Sequence, residues 1–228
     1  MAGRRSLSKL EERQLLRTVR CLPPRDRALI TTQWWTGFRI HEVLSLTVGQ
    51  AVRDGQMLVK IGIAPRNLKG GFGRTRWVPI LPELERALRH HLQVLRLRFE
   101  LSPAMPLFPS RQVAPDGSLR HLARSQANDI IKGAFAKAGI VNDGRLGTHS
   151  LRKTFARNVY EHSGRDIMIL KRALGHTHLA ATQRYLEADE DSVMAAIGRC
   201  DFTRRPRRKW SALSPSAGAI PRVPPIAA

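Results

Sequence analysis

The chain has 228 residues, 42% of them hydrophobic, enough for a domain with a real core and too apolar for a disordered or low-complexity chain. A formal net charge of +21, from 39 Lys and Arg against 18 Asp and Glu, makes a polyanion the expected partner, nucleic acid before membrane. The only cysteines, Cys21 and Cys200, make neither a disulfide framework nor a zinc site, and no apolar run approaches the ~20 residues of a membrane span. No hydrophobic segment of signal-peptide length follows Arg4 and Arg5. The expected location is the cytoplasm, associated with the nucleoid.

Residues 8–20 read as a first helix: Ser8 and Glu11 form a capping-box pattern, and Leu10, Leu15, Leu16 and Val19 make an apolar stripe that Pro23 and Pro24 end. Arg25 to Trp35 is a second helix, whose adjacent Trp34 and Trp35 are expected in the core rather than stacked on bases. Gly37 breaks the pattern, and Arg39 to Leu46 is a third helix. Arg39 and Glu42, three apart, are neighbours on its surface, and taken alone such a pair reads as a solvated ion pair of little energetic weight.

Residues 56–63 and Arg74 to Ile80 read as two paired strands joined by a glycine-rich loop that carries Arg66 and Lys69. Pro82 opens a helix running to about Phe99, with Leu84, Leu88, Leu92 and Leu95 at helical spacing. Residues 101–121, rich in proline, read as a long connection, and Ser125 to Ala138 as a helix stopped by Gly139. Thr148 is expected to cap a helix that places His149 and Arg152 on one face. Asp166 to Leu174 is a helix ended by Gly175, residues 178–186 a short helix bearing Tyr185, and Asp189 to Arg199 a last amphipathic helix. The end, from T-R-R-P-R-R-K-W onward, reads as a basic, poorly ordered tail. The expected class is mainly α with a small antiparallel β-sheet, divided into a short basic arm (1–7), a catalytic domain (8–200) and the tail (201–228).

Five motifs occur in order: T-G-F-R-I-H-E-V-L-S-L (Thr36 to Leu46), the loop lysine before R-x-V-P-I, H-S-L-R (His149 to Arg152), L-G-H (Leu174 to His176), and Tyr185 nine residues after that histidine. Over roughly residues 8–200 the sequence resembles the catalytic domain of the tyrosine recombinases, the phage-integrase and Xer family. The resemblance implies a site-specific recombinase or integrase that works on double-stranded DNA as a tetramer, without cofactor or metal. Tyr185 would be the nucleophile that leaves a 3′-phosphotyrosyl bond. Arg39 and Arg152 would clamp the non-bridging oxygens, and His176 would also contact the phosphate. His149 would be the acid-base histidine, Lys69 the acid that protonates the departing 5′ oxygen, and Glu42 the support for the first arginine.

The chemistry asks for these residue types independently of the name. Attack on a phosphodiester gathers negative charge on the equatorial oxygens, which the planar fork of arginine meets bidentately. A phenol with a reference pKa near ~10 needs help in losing its proton, and a positioned general acid adds about 10²–10⁴-fold in rate. Tyr160, eight residues past Arg152 on the same helix, reads as packing. The alternatives are a nicking-closing enzyme like the type IB topoisomerases and a non-catalytic DNA-binding protein that keeps the fold. Relatives of this kind usually carry a separate N-terminal DNA-binding domain. Here about seven residues precede the first helix, so an accessory DNA-binding protein or the basic tail is expected to add contacts.

Overall fold

Helix α2 (Pro24–Thr36) is the element around which the others pack, and eight of its thirteen residues are buried. Pro24 suits its first turn, where a missing N–H costs nothing, and Gly37, at φ 60°, ends it in the left-handed conformation. Two of its buried hydroxyls are satisfied within the helix: Thr32 donates to the Ala28 carbonyl at 2.7 Å and Thr36 to that of Thr32 at 2.6 Å. Against it lie α1 (Lys9–Arg20), α3 (Ile40–Leu44), α4 (Pro82–Arg96), α5 (Arg124–Lys137) and α6 (Thr148–His162). Helices α7 (Ile167–Leu174) and α8 (Leu179–Gln183) follow, α7 on α6 and α8 on α7. This computed structural model describes residues 4–67, 75–113, 117–183 and 185. Lys69, Cys200, the expected helix Asp189–Arg199 and the basic tail lie outside the described residues. Among the described residues no helix is long and apolar enough to cross a membrane.

The helices follow the sequence pattern closely. The Ser8–Glu11 capping box forms, with the Glu11 amide donating to Ser8 Oγ at 3.2 Å and the Ser8 amide to Glu11 Oε2 at 2.7 Å. The stripe Leu84, Leu88, Leu92 and Leu95 of α4 is buried. Trp34 is in the core and Trp35 packs against it. One cap differs: Gly147, not Thr148, precedes the first turn of α6, and its amide donates to Ser150 Oγ at 3.2 Å.

The β structure departs further from expectation. The segment 56–63 is two strands, not one. Val52–Arg53 (β1) pairs antiparallel with Gln56–Met57 (β2) across a turn in which Asp54 and Gly55 have φ of 51° and 74°, the geometry of a two-residue Asp-Gly hairpin. Lys60–Ile63 (β3) then pairs antiparallel with Arg76–Pro79 (β4). The expected connection 101–121 holds a further antiparallel pair, Pro109–Val113 (β5) with Leu119–His121 (β6). The single expected sheet is therefore three separate two-stranded sheets among the described residues. Strand β4 alternates, with Arg76 and Val78 inward and Trp77 and Pro79 outward, so its phase turns an arginine into the protein.

His91 of α4 is fully buried, stacks on Phe108 with centroids 5.6 Å apart, and places Nε2 2.8 Å from the Leu107 carbonyl. Burial pushes its pKa down from 6.5 to about 4. The unfolded chain takes up this proton first, so stability is unaffected above 6.5 and falls as the pH drops from 6.5 towards 4. His91→Gln, which retains a donor for the carbonyl, should flatten that part of the profile by about 2–3 kcal/mol, measured by urea unfolding between pH 7 and 4. Gly37 tests the end of α2, because a Cβ there would stand 2.2 Å from the Phe155 ring in addition to the positive φ. Gly37→Ala should cost about 2–5 kcal/mol in the same assay.

Candidate active site

The first, third, fourth and fifth motifs meet at the C-terminal ends of α2 and α7. Arg39 is the N-cap of α3, and Glu42 sits at its third position. The Glu42 carboxylate accepts the Arg39 backbone amide on Oε2 at 2.7 Å and Arg39 Nη1 on Oε1 at 2.8 Å. This is no solvated pair: the Glu42 side chain has no exposed surface, whereas that of Arg39 keeps 23%. Two more guanidiniums approach Oε2, Arg76 Nη1 at 3.8 Å and Arg152 Nη1 at 3.9 Å.

Arg152 is buried and uses its whole fork. Nη1 donates to the Gly37 carbonyl at 2.5 Å and Nη2 to that of Leu174 at 3.0 Å. Nη2 also lies 3.0 Å from His176 Nε2, and Nε donates to Tyr185 Oη at 3.2 Å. Burial lowers its pKa first and Arg39 adds to that, while Tyr185 and Glu42 oppose them.

His176 owes its position to the end of α7. The Gly175 amide bonds to the Arg172 carbonyl at 3.1 Å and the His176 amide to that of Lys171 at 3.1 Å, a left-handed closure that Gly175 allows at φ 66°. Burial, then Arg152, Arg39 and Arg76, push the imidazole down to about 4, so it is neutral at pH 7. Arginine can only donate, so Nε2 is the acceptor and Nδ1 carries the proton, which is donated to Thr182 Oγ1 at 3.0 Å. Tyr185 follows α8 in a turn, its amide on the Thr182 carbonyl at 2.9 Å, and its ring lies 5.3 Å from that of His176.

His149 is the second residue of α6, one turn before Arg152, and is exposed. Packing around the ring, then Arg152, Arg39, Arg4 and Arg124, depress its pKa, which favours the neutral, proton-accepting form. Five of the singled-out residues thus meet directly, Arg39, Glu42, Arg152, His176 and Tyr185, with His149 beside them. Lys69 lies outside the described residues, in the connection between β3 and β4. Tyr160 packs with Ala156, Leu170 and Leu174.

Arg76 is the member that sequence reasoning missed. It stands at the head of R-x-V-P-I, and the signal for it was the inward phase of β4. Nε donates to the Ala173 carbonyl at 2.8 Å, Nη2 to that of Thr36 at 2.7 Å, and the guanidinium lies 4.7 Å above the Phe38 ring. A cavity of about 400 Å³, lined by Leu16, Trp34, Trp35, Leu81 and Phe155 together with Lys9, Glu12, Arg13 and Asn158, shares no residue with this cluster.

The sequence model described as Phage integrase family matches residues 5–192. The chain belongs to that family. It is 31% identical over 198 residues to tyrosine recombinase XerC of Erythrobacter litoralis, covering 86% of this chain and 58% of that protein. It is 28% identical over 169 residues to tyrosine recombinase XerD of Corynebacterium glutamicum, covering 74% and 50%. The chain thus spans about half the length of the curated relatives it matches. Among solved structures, XerA recombinase superposes with a TM-score of 0.65 at 24% identity, over 89% of this chain and 66% of that one. XerH site-specific recombinase bound to palindromic difH substrate, a post-cleavage complex, gives 0.66 at 22% identity over 87% and 54%. These likenesses show that the chain shares the fold of these recombinases, and in this chain that fold is mainly helical with small antiparallel sheets.

Within this family member the Glu42 carboxylate is, among the described residues, the sole anion recorded against these three guanidiniums. Glu42→Ala should lower stability by about 3 kcal/mol by leaving Arg76 and Arg152 buried without their counter-charge, a Tm decrease of about 6–12 °C by calorimetry.

Proposed function

We propose that this chain cleaves and rejoins DNA strands in site-specific recombination, through a 3′-phosphotyrosine formed on Tyr185. The observation that carries the reading is the Arg152 guanidinium, which touches both the Tyr185 hydroxyl and the His176 ring and leaves its remaining donors on helix-end carbonyls. Nucleophile and charge clamp are thereby held at one point before any substrate arrives.

A phosphodiester entering there meets Arg39 and Arg152 as donors to its non-bridging oxygens. Arg152 is fixed in advance by the helix-end carbonyls and Arg39 is tethered beside it by Glu42, so only a short turn of Arg39 is needed as charge builds in the transition state. His176 adds a third contact. His149, whose pKa is held down by burial first and by the neighbouring arginines second, takes the phenolic proton as Tyr185 Oη bonds to phosphorus. The 5′ oxygen leaves with a proton from Lys69. The ester energy stays in the phosphotyrosyl bond, so a 5′-hydroxyl can reverse the step without ATP, and the guanidiniums supply the charge that a metal would otherwise provide.

The partners in this reading are double-stranded DNA, further copies of the chain, four on paired sites, and an accessory DNA-binding protein. The location in this reading is the cytoplasm, in association with the nucleoid. The +21 charge supports DNA, and so do structural neighbours solved on it, among them a lambda integrase dimer bound to a COC′ core site.

A nicked suicide duplex tests the reading, because the freed fragment departs and traps the covalent complex. Wild-type chain should accumulate a protein–DNA adduct. Tyr185→Phe should abolish it while leaving duplex binding within about threefold. An adduct that survives and maps to Tyr160 would overturn the assignment, and relaxation of plasmid lacking any cognate site would place the chain with the nicking-closing enzymes instead.

A further inference from the structure

Arg76 has no part in the reaction just described, yet it is nearly as buried as Arg152. Two of its nitrogens are committed to carbonyls, of Ala173 and Thr36. The third, Nη1, is buried with no hydrogen-bond partner. It points at Glu42 Oε2 from 3.8 Å, just beyond bonding distance. An unpartnered buried donor is expensive, and a cation more so, so its retention calls for a reason.

We propose that Arg76 is a positioning residue that neutralises Glu42, so that Arg39 and Arg152 present their full charge to the scissile phosphate. The proposal rests on the phosphoryl-transfer reading above. Three guanidinium charges surround one carboxylate, a net of two positive charges in the group. Remove Arg76 and the net falls to one. Arg39, whose ion-pair bond to Oε1 is its tether, would then be the chief counter-ion of Glu42 and would leave it for the phosphate only at a cost. With Arg76 present, Nη1 can close the short gap to the carboxylate as Arg39 turns towards the substrate.

The geometry fixes Arg76 in that role. Its bonds to the Thr36 and Ala173 carbonyls tie strand β4 to the ends of α2 and α7, and the Phe38 ring lies beneath the guanidinium. The chain passes so close that a Cβ on Gly175 would stand 2.9 Å from Arg76 Cδ. Burial first, then Arg152, push its pKa down to about 9, which still leaves it cationic at neutral pH.

The test compares single-turnover adduct formation on two suicide duplexes, one with an ordinary scissile phosphate and one with a methylphosphonate, which lacks the negative charge. Arg76→Gln should slow cleavage of the phosphate about 10- to 100-fold more than that of the methylphosphonate, since one unit charge is lost a short distance from the reacting group. Arg76→Lys, which keeps the charge, should keep the wild-type ratio between the substrates. The double variant Arg76→Gln with Glu42→Gln removes both charges and should recover most of that ratio. It also gives the readout if the single Gln variant fails to fold. A merely structural Arg76 would slow both substrates in parallel, and a folded double variant with no recovery would have the same meaning. Either result overturns the proposal while wild type still forms its adduct. Absence of adduct from wild type on both duplexes would instead overturn the reading on which the proposal rests.

Discussion

A carboxylate without solvent contact, ringed by three guanidiniums, is the constraint on which the site depends. Buried like charges repel, and Glu42 alone balances only one of them. The remainder is balanced by backbone. Arg76 bonds the carbonyls of Thr36 and Ala173, and Arg152 bonds those of Gly37 and Leu174. The four belong to two helix ends, those of α2 and α7. Carbonyls at a helix C-terminus lack intrahelical partners and carry the negative end of the helix dipole. Two cations therefore sit where two helices would otherwise leave acceptors unsatisfied, and each cation joins the two helix ends.

This arrangement explains why a glycine follows each helix. Gly37 and Gly175 both adopt the left-handed conformation that turns the chain sharply away and leaves the preceding carbonyls open. Gly37 also lies against Phe155 and Gly175 against Arg76, so neither has room for a side chain. The same turn at Gly175 delivers His176 to Arg152. Backbone geometry, capping and electrostatics are thus one feature: moving a helix end would remove the acceptors, release the arginines and displace the histidine together.

The helices were legible because caps and apolar periodicity are local. Ser8 with Glu11, Pro24, Gly37 and Gly175 mark boundaries within a residue or two of those found. The strands were less so. Asp54-Gly55 is a strong hairpin signal that the apolar run following it masked, and β5 and β6 are short and proline-flanked. In the site, motif order singled out Arg39, Arg152, His176 and Tyr185, which do meet. What sequence spacing could not show was burial. An Arg and a Glu three apart look alike whether solvated or enclosed, and only the packing of α3 against α2 and α5 decides it. Arg76 was hidden for a similar reason: its inward direction depends on the phase of a four-residue strand, and its partners are carbonyls contributed by distant helices.

In the proposed reaction an incoming phosphate would exchange only part of the cluster's bonding. The bonds of Arg152 to Gly37 and Leu174 are buried and belong to the scaffold, whereas those to Tyr185 and His176 involve side chains at the surface of the group. A phosphate oxygen can take the place of these last two without disturbing the helix ends. For Tyr185 the exchange would free the phenol oxygen to face phosphorus, as the proposed reaction requires. For His176 it would reverse the demand on Nε2, which accepts from Arg152 now and would donate to an oxyanion in the proposed reaction. Thr182 makes that reversal possible, because a hydroxyl beside Nδ1 can accept a proton or donate one by rotation alone. The proposed reaction therefore requires of this pair only a shift of tautomer and a turn of one hydroxyl, while the guanidinium between them stays where two helices hold it.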